Sequence, residues 1–164
     1  MVIYFVMTQS QKISLFLLRI ATGWMMLYAG VTKIVDPTWS AEGYLKGAKM
    51  FAGFYQWLIS PSILPIINFV NEWGLALLGI SLILGIGVRL SSILGAILMM
   101  LYYFPILDFP YPNPHSFLID EHVIYALILV LFASLRVGRV FGLENWCSRL
   151  PICSKYPNLR AWLG

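Results

Sequence analysis

Charged residues are scarce in this chain of 164 residues. Asp, Glu, Lys and Arg make up 11% of it, whereas about a quarter of a soluble domain is charged. Hydrophobic residues make up 60%, and the mean hydropathy is +0.80. The scarcity of charge excludes an ordinary soluble globular protein, and the length leaves no room for a second domain. We predict a single all-α integral membrane domain over residues 1–164.

Cysteines and nucleotide-binding signals are also scarce. Cys147 and Cys153 are the only cysteines, and the five residues between them differ from the C-x-x-C spacing of a redox pair. We therefore expect free thiols if this tail is cytoplasmic, or a structural disulfide if the topology is inverted. The sequence has no nucleotide-binding loop for a flavin, and its two histidines suit a membrane-crossing haem poorly. The basic residues are scattered, which argues against nucleic-acid binding.

Long apolar runs, by contrast, are abundant. A bilayer core is crossed by about 20 apolar residues in a helix, and we place four such spans at about 13–35, 65–88, 90–108 and 117–135. The segment between the first two spans is rich in Trp, Tyr, Gly and Pro, and we expect it to form short helices at the membrane interface. We expect a second interfacial segment from Gly138 onward. The fold prediction is a bundle of four transmembrane helices.

The cations are distributed unequally between the two predicted sides. Four spans put both termini on one side, and eight of the eleven Lys and Arg residues fall there. The positive-inside rule therefore predicts a multi-pass protein of the cell membrane with both termini in the cytoplasm. The other three cations (Lys33, Lys46 and Lys49), both histidines and most of the acids fall on the outer side.

Small residues recur at helical spacing. Ser81 to Gly85 and Ser91 to Gly95 are small-xxx-small patterns that allow helices to approach closely in a bilayer. Gly79 points away from the face of Ser81, so we expect the second span to pack on two sides. On the first span, one stripe carries a charge at each end with glycines between. Its members are Arg19, Gly23, Met26, Gly30 and Lys33.

Three stretches resemble the DoxX family of small membrane proteins, and most closely its DoxD-like branch. They are "RIATGWMMLYAGVTK", "EWGLALLGISLILGIGVR" and "DEHVIYALILVLFASLRVGRVFGLENW". The resemblance implies a membrane subunit that passes electrons to quinone in partnership with another polypeptide. We accordingly expect either a second protein subunit or a homo-oligomer. It also implies a sulfur compound such as thiosulfate as the family-level substrate.

The residues Asn113–Tyr125, "NPHSFLIDEHVIY", contain both histidines and precede the last apolar run. Carboxylates at the start of a helix suit the helix dipole, but this explanation does not account for the histidines. On a helix that begins near Ser116, Glu121 and Tyr125 share one face. A histidine hydrogen-bonded to a carboxylate transfers protons near neutral pH, which quinone reduction requires.

We therefore predict a quinone site with His122 as the donor to a quinone carbonyl. In this prediction Asp120 and Glu121 carry protons. Four further residues are candidates for contact with the cofactor: Lys33, Glu72 and Tyr125 at the outer end of the bundle, and Arg19 on the stripe of the first span.

Alternative functions remain open at this point. A metal site would use His115, His122, Asp120 and Asp108, but the spacing of the two histidines is unfamiliar for ligands. A non-catalytic scaffold or assembly subunit would use the same polar groups only to hold helices together. A solute or proton conduit is disfavoured because no span carries a charge near its midpoint.

Overall fold

The computed structural model describes residues 7–147, and this part of the chain is helical without a β-strand. Two isolated bridges occur in the loop that precedes the last long helix. The helices are α1 (Gln9–Val35), α2 (Glu42–Lys46), α3 (Ala52–Leu58), α4 (Leu64–Leu84), α5 (Val88–Ile106), α6 (Glu121–Leu135) and α7 (Glu144–Cys147), with a 3-10 turn at Val137–Arg139.

Local chemistry sets the ends of the long helices. α1 begins four residues earlier than predicted because Thr8 and Gln11 form a capping box, each side chain accepting from the other's backbone N–H. α4 ends four residues earlier than predicted because Gly85 adopts the left-handed conformation, with φ of 69°. Capping and glycine conformation therefore account for both differences from the predicted span boundaries.

The last long helix is shorter than the predicted span. The segment 117–135 was expected to be helical, but α6 begins only at Glu121, because Leu118 has a φ of +59° and Asp120 caps the helix from an extended conformation. Its 15 residues extend about 22 Å, less than a bilayer core of about 30 Å. In the described chain, α1, α4 and α5 are long and apolar enough to cross a membrane. The fourth span remains a prediction.

The long helices pack as two pairs. α1 lies along α4, and α5 lies along α6, while α4 and α5 make a less extensive contact that joins the pairs. Gly79 of α4 faces the backbone of Leu27 on α1, whereas Ser81 faces Ser91 on α5. This confirms that α4 packs on two sides. Gly30 of the predicted stripe meets the backbone of Ala76, so a side chain there would separate α1 from α4.

The outer surface of the bundle is apolar. Large side chains such as Trp24 and Leu77 are 64% and 58% exposed, on the faces of α1 and α4 that point away from the core. The buried core between the pairs includes Leu82, Leu129 and Phe132. A soluble protein rarely exposes so much contiguous apolar surface. The chain is therefore a multi-pass membrane protein with a helical bundle.

The segment between α1 and α4 folds over the end of α5. Pro105 lies inside α5 and has no N–H for the carbonyl of Leu101, and the Tyr55 hydroxyl on α3 donates to that carbonyl at 3.0 Å. The Lys49 backbone N–H donates to the Pro105 carbonyl at 2.9 Å. These bonds satisfy backbone groups that a membrane would otherwise leave without partners. The position of α2 and α3 relative to the membrane surface stays a prediction.

The predicted interfacial tail lies mostly outside the described residues. The structure shows the 3-10 turn and α7 at its start, and the side chains of Cys147 and Cys153 are not among those described. The thiol and disulfide alternatives therefore remain untested.

Candidate functional site

A polar cleft opens at the end of the bundle that contains the C-terminus of α1 and the N-terminus of α6. Its volume is about 280 Å³. α1, α2, α4, α5, α6 and the segment between α1 and α2 all contribute to its walls. The lining residues are Lys33, Trp39, Ser40, Ala41, Tyr44, Asn71, Tyr102 and His122. Two predicted site residues, Lys33 and His122, thus meet in one cleft.

Asp120 and His122 form a hydrogen-bonded pair at the start of α6. The Asp120 side chain is fully buried; its Oδ1 accepts from the backbone N–H groups of His122 and Val123, and its Oδ2 lies 2.6 Å from His122 Nδ1. The carboxylate therefore fixes both the helix start and the orientation of the imidazole ring. An ionised Asp120 favours the proton on Nδ1, which leaves Nε2 as the ring nitrogen available to accept or carry a proton.

The loop before α6 holds this pair in place. The Tyr103 hydroxyl of α5 donates to the carbonyl of Leu118, and the Leu118 N–H donates to the carbonyl of Pro110. Leu118 is two residues ahead of Asp120, so these bonds fix the direction from which the chain enters α6.

Lys33, Tyr102 and Asn71 form a second polar group across the cleft. Lys33 Nζ donates to the Tyr102 hydroxyl at 3.1 Å, and that hydroxyl donates to Asn71 Oδ1. Asn71 Nδ2 in turn donates to the carbonyl of Ile67 at 2.8 Å. The bond to Tyr102 uses one of the three N–H donors of Lys33, and two remain for a ligand or water.

Aromatic rings surround these polar groups. Lys33 Nζ lies 4.9 Å from the ring centre of Trp39 and 5.3 Å from that of Tyr102, both within the range of a cation–π interaction. The ring centres of Tyr102 and His122 are 5.8 Å apart. Burial raises the pKa of Tyr44, whose hydroxyl donates to the Tyr102 carbonyl, so this hydroxyl stays protonated at any physiological pH. Flat rings and a cation suit a planar ligand with electron-rich oxygens.

The other candidates from the same end lie around the cleft rather than in its lining. Glu121 is exposed, and Tyr125 packs partly against the apolar core one turn further along α6. Glu72 is half-buried on α4 and interacts electrostatically with Lys33. Glu121 remains close to the pair, because ligand atoms of Asp120, Glu121 and His122 lie within 4.8 Å of one another.

The structure does not gather the four residues of the metal alternative. His115 is exposed in the loop, and Asp108 forms an ion pair with Lys49 at 2.8 Å. Asp120 and His122 are the two of the four that lie together, bonded through Oδ2 and Nδ1, and Glu121 is the third possible ligand beside them. The metal set predicted from the sequence is therefore only half assembled.

Arg19 lies at the opposite end of the bundle. It is fourteen residues from Lys33 on α1, or about 21 Å along the helix, so one headgroup cannot contact both. Its side chain is fully buried, and Nη2 donates to the carbonyls of Val140 and Phe141 at 3.3 Å each. Arg19 therefore holds the turn after α6 against α1. It does not lie near the cleft, in contrast to the prediction that it contacts the cofactor.

A buried carboxylate accompanies Arg19. Burial raises the pKa of Glu144 on α7, while the charge of Arg139, a backbone hydrogen bond from Val88 and the charges of Arg136 and Arg19 oppose that rise. Gly85 and Gly142 leave the space for Arg19, because a Cβ on either would collide with the guanidinium. Within residues 7–147, Nε and Nη1 of Arg19 and Oε2 of Glu144 are buried without a hydrogen-bond partner.

Sequence reasoning missed Asn71, Tyr102, Trp39 and Tyr44 as lining residues. Asn71 carried a signal, because an amide inside an apolar span needs a partner on a neighbouring helix. The tyrosines and Trp39 carried none, since aromatic residues near span ends are common at membrane interfaces.

Comparison with known proteins identifies one family. The family model described as DoxX matches residues 14–106, which is more than half of the chain. The matched range contains Lys33, Asn71 and Tyr102 and ends before Asp120 and His122. Neither the curated proteins nor the solved structures compared with the chain gave a match.

Proposed function

The chain belongs to the DoxX family of membrane proteins, and from this membership and the cleft we propose that it is the membrane subunit of a quinone-linked oxidoreductase. The observation that carries the proposal is that His122, which Asp120 holds by a hydrogen bond, lines one aromatic cleft together with Lys33. The electrons would come from a partner polypeptide, with a reduced sulfur compound such as thiosulfate as their source.

The cleft fits the headgroup of a quinone. Its volume of about 280 Å³ lies near the lower end of ligand pockets, which span about 300–1,000 Å³, so it suits one small ring system. Trp39, Tyr44 and Tyr102 supply flat apolar surfaces for that ring. Lys33 Nζ and His122 Nε2 are the groups that would hold the two carbonyl oxygens.

The residues of the pair have distinct roles in this proposal. A bound quinone accepts two electrons and two protons in each reduction. His122 holds a proton at Nε2, and Asp120 stabilises the imidazolium that forms when both ring nitrogens are protonated. Glu121 is exposed and close to both, so it exchanges protons between the pair and water. Lys33 would stabilise negative charge on the opposite oxygen and pass the second proton to it, regaining one from water.

The distribution of cations supports one orientation of this subunit across the membrane. Lys33, Lys46 and Lys49 lie toward the cleft end, whereas Arg19, Arg89, Arg136 and Arg139 lie toward the other. We propose on this basis that the cleft faces the outer side of the cell membrane and that both termini are cytoplasmic. The partner polypeptide or second copy would then contact the bundle either inside the bilayer or at the membrane surface.

The test is the quinone reductase activity of the complex purified from native membranes in lipid nanodiscs. We expect His122→Phe to lower turnover by about 100-fold or more, the usual contribution of a positioned acid–base group. His115→Phe is the matched control, because His115 is the other histidine and is exposed in the loop. Wild-type turnover in folded, inserted His122→Phe protein would overturn the proposal.

A second candidate function is a non-catalytic scaffold or assembly subunit. The observation that favours it is that the polar groups also have structural partners: Asp120 caps α6, and Tyr102 connects α5 to Asn71 of α4. In that case His122→Phe lowers the stability of the complex, and the purified protein retains no quinone. Retention of quinone near one molecule per chain contradicts the scaffold.

A further inference from the structure

A chain of three hydrogen bonds connects α4 to the cation of the cleft, and its direction is determined at the α4 end. The carbonyl of Ile67 can only accept, so the Asn71 amide presents Nδ2 to it, at 2.8 Å. Oδ1 of Asn71 therefore faces Tyr102 and accepts from its hydroxyl. Because the hydroxyl hydrogen is used in this bond, the Tyr102 oxygen accepts from Lys33 Nζ at 3.1 Å. Tyr102 is thus an acceptor toward Lys33, and Lys33 keeps the donor role toward a ligand.

The same chain limits where the ammonium group can lie. A lysine side chain has a flexible stem of four carbons, so it does not by itself fix its charge at one point. Lys33 Nζ lies 3.1 Å from the Tyr102 hydroxyl and 4.9 Å from the ring centre of Trp39. The Tyr102 oxygen keeps its place because Asn71 binds it from the neighbouring helix. The position of Lys33 Nζ beside the cleft therefore depends on Asn71 through Tyr102.

A second bridge joins α4 and α5 without reaching the cleft. The hydroxyl oxygens of Ser81 and Ser91 lie 2.7 Å apart, and the Ser81 hydroxyl donates to the carbonyl of Ile86 at 2.6 Å. That bridge ends in a backbone carbonyl, whereas the bridge through Asn71 ends in Lys33, which lines the cleft. A pair of hydroxyls therefore suffices to join the two helices, and what the bridge through Asn71 adds is the connection to a cation.

We propose that Asn71 is a positioning residue for the quinone site: through Tyr102 it aims the ammonium group of Lys33 at one oxygen of the bound headgroup. This inference rests on the proposed function, since it assigns a further residue to the same cleft. Asn71 acts on the ligand through two other side chains, and its loss leaves Lys33 present but free to turn toward water. The effect of Asn71 on binding should therefore disappear when the Lys33 ammonium group is removed.

The experiment is a double-mutant cycle between Asn71 and Lys33, read as affinity for a tail-less quinone headgroup. The complex is purified from native membranes in lipid nanodiscs and titrated with methylated benzoquinone and methylated naphthoquinone. Lys33→Met removes a hydrogen bond from a charged donor and should weaken binding of the tighter probe about 10- to 100-fold. Asn71→Leu should weaken binding about tenfold on its own, and by less than about twofold in protein that already carries Lys33→Met.

Ser81→Ala is the matched control, because it removes a hydrogen bond between the same two helices about 15 Å further along α4. It should lower the stability of the bundle and leave the affinity for the headgroup unchanged. Tyr102→Phe interrupts the chain at its middle while it keeps the ring beside Lys33, so it should reproduce both results of Asn71→Leu. Tyr102→Phe therefore decides the question should Asn71→Leu fail to fold.

The remaining outcomes contradict either the inference or the proposed function. If neither probe binds the wild type, the proposed function fails together with the inference. If Lys33→Met weakens binding but Asn71→Leu and Tyr102→Phe do not, the headgroup site stands and the positioning role is wrong. If Asn71→Leu weakens binding equally with and without Lys33→Met, Asn71 does not act through Lys33. If Ser81→Ala weakens binding as much as Asn71→Leu, the loss reflects loosened helices, and the inference is again wrong.

Discussion

The two ends of α1 carry one cation each, and the structure uses them in opposite ways. Lys33 lines a cleft and donates one hydrogen bond, to Tyr102. Arg19 is enclosed by Gly85, Gly142 and the turn after α6, with no exposed surface. A cation that keeps unused donors beside a cavity is available to a ligand, whereas an enclosed cation holds segments of its own chain together. The difference lies in the neighbours, because the two side chains occupy the same stripe of the same helix.

The carboxylates of the two ends differ in the same manner. Asp120 is buried, but each of its oxygens accepts hydrogen bonds, and it orients a histidine that reaches the cleft. Glu144 is buried near three arginines, and burial still raises its pKa. We therefore expect the Lys33 end to determine ligand chemistry and the Arg19 end to determine stability.

The largest expected effect separates the two ends through one matched pair of substitutions. Arg19→Met removes the donor to the Val140 and Phe141 carbonyls and should lower the free energy of unfolding by about 2–3 kcal/mol. Lys33→Met, the same change at the cleft, should lower it by less than about 1 kcal/mol and instead weaken binding of the quinone headgroup. Denaturant unfolding in mixed micelles measures the first effect, and headgroup titration measures the second.

A conservative substitution sharpens this comparison. Arg19→Lys keeps the charge but not the planar fork of donors, so it should recover only part of the stability lost in Arg19→Met. Equal stability of wild type and Arg19→Met would contradict the account of this end.

A smaller effect is expected at Asp120, where one side chain serves both fold and site. Asn is about as good an N-cap as Asp, so Asp120→Asn should change the free energy of unfolding by only a few tenths of a kcal/mol. It removes the negative charge beside His122, and turnover should fall by about 10- to 100-fold, as it does for other partners that orient functional histidines.

Asp120→Ala provides the contrast, because it also removes the cap and should cost about 1 kcal/mol. The measurement is turnover against pH, together with thermal unfolding, for both variants. If Asp120→Asn retained wild-type turnover with an unchanged pH profile, Asp120 would be a helix cap and nothing more.

The smallest expected effect concerns the segment that covers the cleft end. Tyr55→Phe leaves the Leu101 carbonyl beside Pro105 without its donor and should cost about 1 kcal/mol of stability. Tyr28→Phe is the control, because Tyr28 is 64% exposed on α1. Turnover per folded molecule should be unchanged in both. A loss of turnover in Tyr55→Phe alone would show that this segment does more than anchor the end of α5.

Much of the fold follows from the sequence because apolar length and small-residue spacing are local signals. α1, α4 and α5 lie within four residues of the predicted boundaries, and the two-sided packing of α4 follows from the opposed faces of Gly79 and Ser81. α6 also begins four residues from the predicted boundary, because the left-handed conformation of Leu118 depends on tertiary bonds to Tyr103 and Pro110. Composition alone does not encode those contacts.

The candidate site was predicted in part. Asp120, His122 and Lys33 stand out because ionisable residues are rare in membrane helices and usually face the interior of a bundle. Arg19 is also an ionisable residue in a membrane helix, and nothing in the sequence distinguishes a cation that lines the cleft from one that is enclosed at the opposite end. Trp39 and Tyr44 reach the cleft only because the segment after α1 folds back over α5, an arrangement that depends on the carbonyls left free by Pro105.

The most direct test of the central claim is to map where a quinone headgroup binds. A tail-less quinone carrying a photoreactive group would be irradiated with the protein in nanodiscs, and the labelled residues would be identified by mass spectrometry with and without excess unlabelled quinone. We expect competed labelling at Trp39, Tyr44 and Tyr102. Competed labelling confined to the Arg19 end, or labelling that excess quinone does not reduce, would contradict the account.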